Sequence, residues 1–182
     1  MSNNNFGKII SAPLGVFPVD KWLATMRENT MPRSIVRLAR SRVNGGVVFV
    51  VKEAPAHLLD NEEYALEAMG QVARDLVPRF RRVTREMMFL EYIANEPVTD
   101  RMKFLDTQDR VLDAMEQAGL RHGDLTEFSI LVRDNSPVII DWAESRTWND
   151  PRPDKRPQGD AYLLSVAMER ISGGIDVHTS EW

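Results

Sequence analysis

The sequence contains no cysteine, which excludes disulfide bonds, zinc sites built from thiolates and a cysteine nucleophile. It also lacks any apolar run close to the roughly 20 residues that a membrane-spanning helix needs. No basic region followed by a long apolar core stands near its start, so no signal peptide is expected. Together these absences predict a protein of the reducing cytoplasm with no membrane partner.

Charge of one sign is not in large excess either. The 182 residues include 23 Lys or Arg and 27 Asp or Glu, which gives a net charge of -4 and no general attraction to nucleic acid. One local exception is the basic run between Arg79 and Arg85. A polyanion-docking role for this run stays open beside the simpler interpretation, a solvated strand face.

Two catalytic motifs are missing. No G-x-S-x-G is present, which makes a Ser/His/Asp hydrolase a poor fit, and no G-x-G-x-x-G is present to cover a nucleotide phosphate. A histidine metal site is not expected at His57 or His178.

The first half of the chain predicts strands around one helix. Residues 34–42 and 47–54 are β-rich runs that flank Gly45 and Gly46, which indicates a hairpin whose second strand ends at Lys52. A helix is predicted over residues 60–76, starting at an Asp60 or Asn61 N-cap. Its predicted apolar positions are Tyr64, Leu66, Met69 and Val72.

Residues 79–93 predict one or two further strands, and 95–97 predict a connector. A long helix is predicted over residues 100–120, with Gly119 at its end. Its predicted apolar side comprises Met102, Leu105, Val111, Leu112 and Met115. A short hairpin and a polar loop follow, and then a last helix from Asp160 to Gly173. This order of elements is typical of an α+β protein with segregated layers.

The segments "RHGDLTEFSILV" and "PVIIDWAES" carry the candidate chemistry. Asp124 is followed five residues later by Ser129, and Asp141 ends the next strand. Phosphoryl transfer needs positioning and charge: magnesium on the phosphates, a lysine on the nucleotide, and a carboxylate near the acceptor. The order of a strand lysine, a helix acid and these two aspartates matches that requirement.

These two segments resemble the catalytic core of the RIO-type atypical protein kinases and of the small kinase of the KEOPS complex. Aminoglycoside phosphotransferases share the pattern more loosely. The resemblance implies a minimal, two-lobed, protein-kinase-like α+β fold. Residues 1–94 would form an N-lobe with a β-sheet and one helix, and residues 95–182 would form a mainly helical C-lobe.

The resemblance also implies a role for each matching residue. Asp124 would be the catalytic carboxylate, and Asp141 with Ser129 would hold Mg²⁺ or Mn²⁺. Lys52, steadied by Glu62, would contact the phosphates of ATP bound between the lobes. In RIO-type enzymes the acid that matches Asp141 can itself accept phosphate.

Further implied roles concern binding and support. Backbone groups of Glu91, Tyr92 and Ile93 would meet the adenine, while His122 and Asp160 would brace the catalytic loop. Lys52 could instead be a lysine that extends to water from a strand end. Glu62 and Glu63 could be acids favoured by the helix dipole alone.

Two departures from the family pattern leave the activity open. Ser129 stands where the family has Asn, and residues 28–34, where a phosphate-covering loop would fall, hold no glycine. The expected activity is that of an atypical serine/threonine protein kinase or an autophosphorylating ATPase. A protein acceptor is favoured because the C-terminal part is short. The alternatives are a catalytically inactive, kinase-shaped binding protein and a small-molecule kinase.

Overall fold

A computed structural model describes residues 19–28, 34–41, 47–151 and 159–173 of the chain. The chain divides into two compact units. The first unit runs to Leu59 and includes Arg79–Tyr92, and the second comprises Asp60–Pro78 and the chain from Ile93 onward. The lobes predicted over residues 1–94 and 95–182 stay a prediction.

The first unit is built on one antiparallel sheet of five strands in the order β1-β2-β3-β5-β4. The strands are β1 (Val19–Glu28), β2 (Ile35–Ser41), β3 (Val48–Glu53), β4 (Phe80–Thr84) and β5 (Met87–Glu91). The predicted hairpin is confirmed, because Ile35 of β2 pairs with Glu53 of β3. The predicted turn at Gly45 and Gly46 lies outside the described residues.

The apolar core of the sheet centres on the middle strands. Ala39, Phe49, Val51 and Phe89 are buried together, and the rings of Phe49 and Phe89 lie 4.9 Å apart at an angle of 53°. Alternating Val and Phe residues of β3 suit a pleated sheet because branched and aromatic side chains pack well there. Core packing therefore fixes the register of β3, the strand that carries Lys52.

The helix α1 (Ala56–Val72) begins four residues before the predicted Asp60 start, so that prediction was wrong. Pro55 precedes it, and the carbonyl oxygen of Pro55 accepts the amide hydrogens of Leu58 and Leu59 at 3.0 and 3.3 Å. Proline suits a helix start because its fixed φ is helical and it has no amide hydrogen to leave unbonded. The helix therefore begins after Pro55 and not at the predicted Asp60 or Asn61 N-cap.

The apolar side predicted for α1 is only half correct. Leu66 and Met69 are fully buried, whereas Tyr64 and Val72 are exposed. Buried Leu59 and Ala65 complete the apolar side instead. The earlier helix start brings Leu59 into the helix, and Leu59, Leu66 and Met69 follow the three- and four-residue spacing of one helix face.

The single helix predicted over residues 100–120 is in fact two helices, α2 (Arg101–Leu105) and α3 (Gln108–Gln117). At the break, the Thr107 hydroxyl donates to the carbonyl oxygen of Phe104 at 2.5 Å. A local side-chain bond of this kind competes with the helical hydrogen-bond pattern. Met102, predicted to be apolar core, is 65% exposed.

The remaining elements of the second unit form two small sheets and a last helix. Strand β6 (Leu120–Arg121) pairs with β9 (Arg146–Thr147), and β7 (Ile130–Arg133) pairs with β8 (Ser136–Ile139), both antiparallel. Helix α4 (Gly159–Ser172) follows. Within the ranges that the structure describes, no helix is long and apolar enough to cross a membrane.

Candidate active site

The hairpin of β7 and β8 brings two of the candidate residues to one place. Its two turn residues, Asp134 and Asn135, have φ values of 54° and 57°, a conformation that suits the tight turns of two-residue hairpins. At the open end, the amide of Ile140 donates to the carbonyl oxygen of Ser129 at 2.9 Å. Ser129 and Asp141 therefore lie at the same end of the hairpin.

Asp141 occupies a sharp corner two residues after the last residue of β8. Its backbone is left-handed, with φ 62° and ψ 56°, and its side chain is exposed. A residue other than glycine in this conformation stores strain on the order of 1–3 kcal/mol, which is common at functional sites. Trp142, the next residue, stabilises this corner. It is fully buried, and its indole nitrogen donates to the carbonyl oxygen of Ile139 at 3.0 Å.

His122 is the centre of the hydrogen bonds that support the loop of residues 122–129, the predicted catalytic loop. It is fully buried, its Nε2 lies 2.9 Å from the carbonyl oxygen of Ile140, and its ring packs against Trp142 at 4.7 Å. Its amide donates to Oδ2 of Asp160 at 2.6 Å, and the amide of Gly123 donates to Oδ1 of Asp160 at 3.3 Å. These bonds tie the loop both to α4 and to the segment that carries Asp141.

Burial lowers the pKa of His122 below its ordinary value of 6.5. The bond to Ile140 and the charges of Asp160, Asp141 and Asp124 act in the opposite direction but do not overcome the burial. A neutral imidazole whose Nε2–H donates to Ile140 satisfies this geometry, since a carbonyl oxygen can only accept. Nδ1 has no hydrogen-bond partner within the described part of the chain.

Gly123 follows His122 at a point where only glycine fits. Its φ is +82°, and a Cβ atom there would lie 2.7 Å from the carbonyl oxygen of Glu144. This close approach packs the catalytic loop directly on the chain that follows Asp141. The "HGD" pattern thus combines a buried histidine, an obligatory glycine and a half-buried Asp124.

Three hydroxyl and carbonyl groups shape the rest of the loop. The Thr126 hydroxyl accepts the amide hydrogen of Phe128 at 3.2 Å and lies 3.3 Å from the Ser129 hydroxyl. The Ser129 hydroxyl donates to the carbonyl oxygen of Asp124 at 3.3 Å. Ser129 is 6% exposed and is therefore turned into the loop.

Helix α1 is attached to the segment after Asp141. The side-chain amide of Asn61 donates to the backbone carbonyl oxygen of Ala143 at 3.3 Å. The Ser145 hydroxyl donates to the backbone carbonyl oxygen of Asn61 at 3.4 Å. The next residue, Glu62, is 1% exposed, whereas Glu63 is half-buried. Of the two acids, Glu62 is thus the one placed inside the protein.

The remaining predicted residues lie in or beside β3 and β5. Lys52 is 4% exposed and so does not extend into bulk water. The amide of Glu91 donates to the carbonyl oxygen of Arg79 at 2.7 Å, and its carboxylate accepts from the Arg79 guanidinium at 3.0 Å. The amide of Glu91 is therefore occupied within the sheet. Tyr92 is exposed and Ile93 is buried. The nucleotide-binding roles predicted for these residues stay predictions.

The donor set suits a cation that takes few protein ligands. Among the described residues, no group of three or more His, Cys, Asp or Glu side chains could hold a metal ion. Magnesium commonly uses only one or two carboxylates and takes its other ligands from phosphates and water. The exposed carboxylate of Asp141 can serve such an ion together with a nucleotide.

Several supporting residues were not predicted from the sequence. Asn61, Thr126, Trp142 and Ser145 contribute through bonds to backbone atoms that lie up to 84 positions away in the chain. Thr126 lies in the "HGDLTEFS" motif, and Trp142 and Ser145 lie in "PVIIDWAES", but neither motif shows the partners of these residues. The bonds of Asn61 and Ser145 are tertiary contacts that spacing does not show, whereas the bond of Trp142 spans only three residues.

Comparison with known proteins gives a family and a fold. The RIO domain family model matches residues 55–160. The chain is also similar to the crystal structure of the Rio2 kinase–ADP/Mg²⁺–phosphoaspartate complex from Chaetomium thermophilum, with a TM-score of 0.62 and 16% sequence identity. That similarity covers 84% of this chain but only 57% of the Rio2 chain. No curated protein matches the sequence.

The predicted resemblance to RIO-type kinases and the predicted kinase-like α+β fold are both confirmed by these matches. The family match includes the segment of α1 that carries Glu62, the catalytic loop, the β7–β8 hairpin and the first two residues of α4. The chain therefore belongs to the RIO domain family of atypical, kinase-like proteins.

Proposed function

We propose that this protein is an ATP-dependent phosphotransferase of the RIO type, acting as a serine/threonine protein kinase or as an autophosphorylating ATPase. The observation that carries the proposal is the hairpin end where the Asp124 loop, Ser129 and Asp141 come together, supported by the bonds of His122 and Asp160. Catalysis of phosphoryl transfer depends mainly on positioning and charge, which a supported loop of this kind can supply.

Asp124 and Asp141 have different proposed tasks. Asp141 is the protein ligand for magnesium, which on binding neutralises charge on the transferred phosphate. Asp124 accepts the proton of an attacking hydroxyl, or orients that hydroxyl, from a half-buried loop position. The corner at Asp141 and the bonds around His122 support the backbone that carries these two carboxylates.

Lys52 and Glu62 have the proposed task of binding the nucleotide. Lys52 contacts the phosphates of ATP, and Glu62 balances the charge of Lys52. Both side chains are buried, and burial strengthens electrostatic interactions because the surrounding dielectric is low. The carbonyl of Glu91 and the backbone of Tyr92 and Ile93 are the proposed adenine contacts.

Asp141 is also the proposed phosphate acceptor in the absence of another substrate. The solved Rio2 complex contains phosphoaspartate, ADP and Mg²⁺. In the step proposed here, a carboxylate oxygen of Asp141 bonds to the γ-phosphorus, the bond from that phosphorus to the ADP oxygen breaks, and ADP leaves. Water then hydrolyses the acyl phosphate and regenerates the carboxylate. Because Asp141 is exposed, both the γ-phosphate and the hydrolytic water can approach its carboxylate.

The test uses ATP labelled in its γ-phosphate. We expect label on the wild-type protein in a form that hydroxylamine releases, as an acyl phosphate requires, and no such label on Asp141→Asn. The control is Asp134→Asn, which changes an exposed acid in the hairpin turn and should keep the wild-type labelling. Equal background labelling of wild type, Asp141→Asn and Asp124→Ala would contradict the proposal.

A kinase-shaped binding protein without catalysis is the second candidate. The observation in its favour is the Ser129 hydroxyl, which is engaged inside the loop where the family has an amide. Thermal unfolding with ATP and Mg²⁺ separates the two. A nucleotide at 100 times its dissociation constant should add about 2.7 kcal/mol of apparent stability. A binding protein without a nucleotide site would show no shift at millimolar ATP.

The acceptor protein, a polyanionic partner for the Arg79–Arg85 run, and a cytoplasmic location remain proposals of the same kind. Release of ADP in the presence of small metabolites, but not of proteins, would favour a small-molecule kinase instead.

A further inference from the structure

The Ser129 hydroxyl belongs to a continuous chain of hydrogen bonds inside the catalytic loop. The chain passes from the amide of Phe128 to the Thr126 hydroxyl, then to the Ser129 hydroxyl, and ends at the carbonyl oxygen of Asp124. The three distances are 3.2, 3.3 and 3.3 Å in that order. The chain joins both ends of the loop that holds Asp124.

The direction of each bond follows from counting hydrogens. A hydroxyl group has one hydrogen to donate, and a carbonyl oxygen can only accept. Because the Ser129 hydrogen goes to Asp124, the contact between Thr126 and Ser129 is donated by Thr126. Thr126 in turn accepts from the amide of Phe128. All donors therefore point the same way, an arrangement in which each bond polarises the next.

The geometry of Ser129 does not suit a magnesium ligand. A serine oxygen lies one bond closer to the backbone than the side-chain oxygen of asparagine, and this serine is 6% exposed. Magnesium requires oxygen atoms at about 2.0–2.1 Å in near-octahedral positions. The Ser129 hydroxyl is also used inside the loop, because its hydrogen goes to Asp124 and one of its lone pairs accepts from Thr126.

We infer that Ser129 is a positioning residue for the Asp124 loop, together with Thr126, and that the divalent cation is held on the protein side by Asp141 without Ser129. This inference rests on the proposed function, because it concerns the metal that accompanies the nucleotide. It assigns to Ser129 and Thr126 the task of holding the Asp124 backbone in place for the acceptor.

The claim that Asp141 binds the cation without Ser129, called the metal half here, is tested by titrating Mn²⁺ in the presence of ADP. The measurement is the loss of the free-ion signal in electron paramagnetic resonance. Ser129→Ala should change the Mn²⁺ dissociation constant by less than about twofold, whereas Asp141→Asn should raise it about tenfold or more. Ser129→Asn should bind Mn²⁺ more tightly than wild type, because an amide oxygen extends farther. Equal weakening by Ser129→Ala and Asp141→Asn would overturn the inference.

The claim that Ser129 and Thr126 position the Asp124 loop, called the loop half here, is tested by amide hydrogen exchange, which needs no metal. Thr126→Val removes the hydroxyl but keeps the shape of the side chain, so the Phe128 amide should exchange with solvent about tenfold faster. Thr126→Ser keeps the hydroxyl and should restore slow exchange. Unchanged exchange in Thr126→Val would overturn this half.

Steady-state kinetics add a second measure of positioning. Ser129→Ala should lower kcat while the KM for ATP stays near the wild-type value, because the nucleotide contacts are intact. A rise in KM with unchanged kcat would contradict the assignment. If wild type itself shows no Mn²⁺–ADP binding, the proposed function and the metal half both fail, and the Phe128 exchange alone then decides the loop half.

Discussion

The five-stranded sheet of the first unit and the catalytic loop of the second unit are held together in different ways. The sheet depends on repeated backbone pairing and on an apolar cluster of four buried residues. The loop depends on single side chains that each bind a particular backbone atom, such as Asp160 and His122. A sheet of this kind distributes its stability over many equivalent bonds, whereas the loop depends on a few specific side-chain bonds. Four changes test this difference.

The largest effect is expected at Gly123. Gly123→Ala would add the cost of a left-handed alanine, about 1–2 kcal/mol, and a contact of 2.7 Å between Cβ and the backbone of Glu144. Gly119→Ala is the matched control, because Gly119 has a φ of +68° but no atom within 4 Å of the added Cβ. Urea unfolding should show a much larger loss of stability for Gly123→Ala, and equal losses would contradict the close approach.

Asp160→Ala should have the next largest effect. The substitution leaves the amides of His122 and Gly123 without their acceptor in a buried place, at about 1–3 kcal/mol for each unsatisfied group. Phosphoryl transfer should fall in parallel, because the loop carries Asp124. Asp160→Asn is the control: it keeps one oxygen acceptor and should lose about half as much stability. Full stability in Asp160→Ala, measured by urea unfolding, would show that the tie to α4 is unimportant.

His122 makes the second unit sensitive to acid. Because burial lowers the pKa of His122 in the folded protein, the unfolded chain binds the proton more readily. The corresponding stability is therefore fully present above the ordinary pKa of 6.5, and it is lost as the pH falls toward the folded-state pKa.

His122→Gln provides the comparison, since its amide can donate to Ile140 but does not titrate in this range. Urea unfolding between pH 8 and pH 5 should show a steeper loss of stability in wild type than in the variant. Parallel pH profiles would show that His122 does not titrate with folding.

The smallest effect is expected in the sheet, at the ion pair of Arg37 and Glu53. The two charged groups are 3.2 Å apart and about one-third exposed, so solvent screens them. Arg37→Ala should cost less than about 1 kcal/mol in urea unfolding, with the labelling of Asp141 unchanged. A loss as large as that of Gly123→Ala would remove the contrast between the two regions.

The elements with a strong local signal were predicted well. The β2–β3 hairpin and the strands between Phe80 and Glu91 follow from runs of branched and aromatic residues. The hairpin of β7 and β8 follows from two apolar runs around "DNSP". The prediction failed at the start of α1, which follows Pro55 earlier than expected, and inside the helix predicted over residues 100–120, which is interrupted at Thr107.

The sequence alone determined the order of the elements and the identity of the family-like motifs, because strand propensity, turn residues and the "HGD" and "IID" patterns are local properties of the chain. Only the tertiary structure decided how these motifs are supported. It buried His122 between Trp142 and Ile140, attached Asn61 to Ala143, and turned Ser129 toward Asp124. The physical reason is that a buried backbone group must find a hydrogen-bond partner wherever the fold offers one, and that partner can lie far away in the sequence.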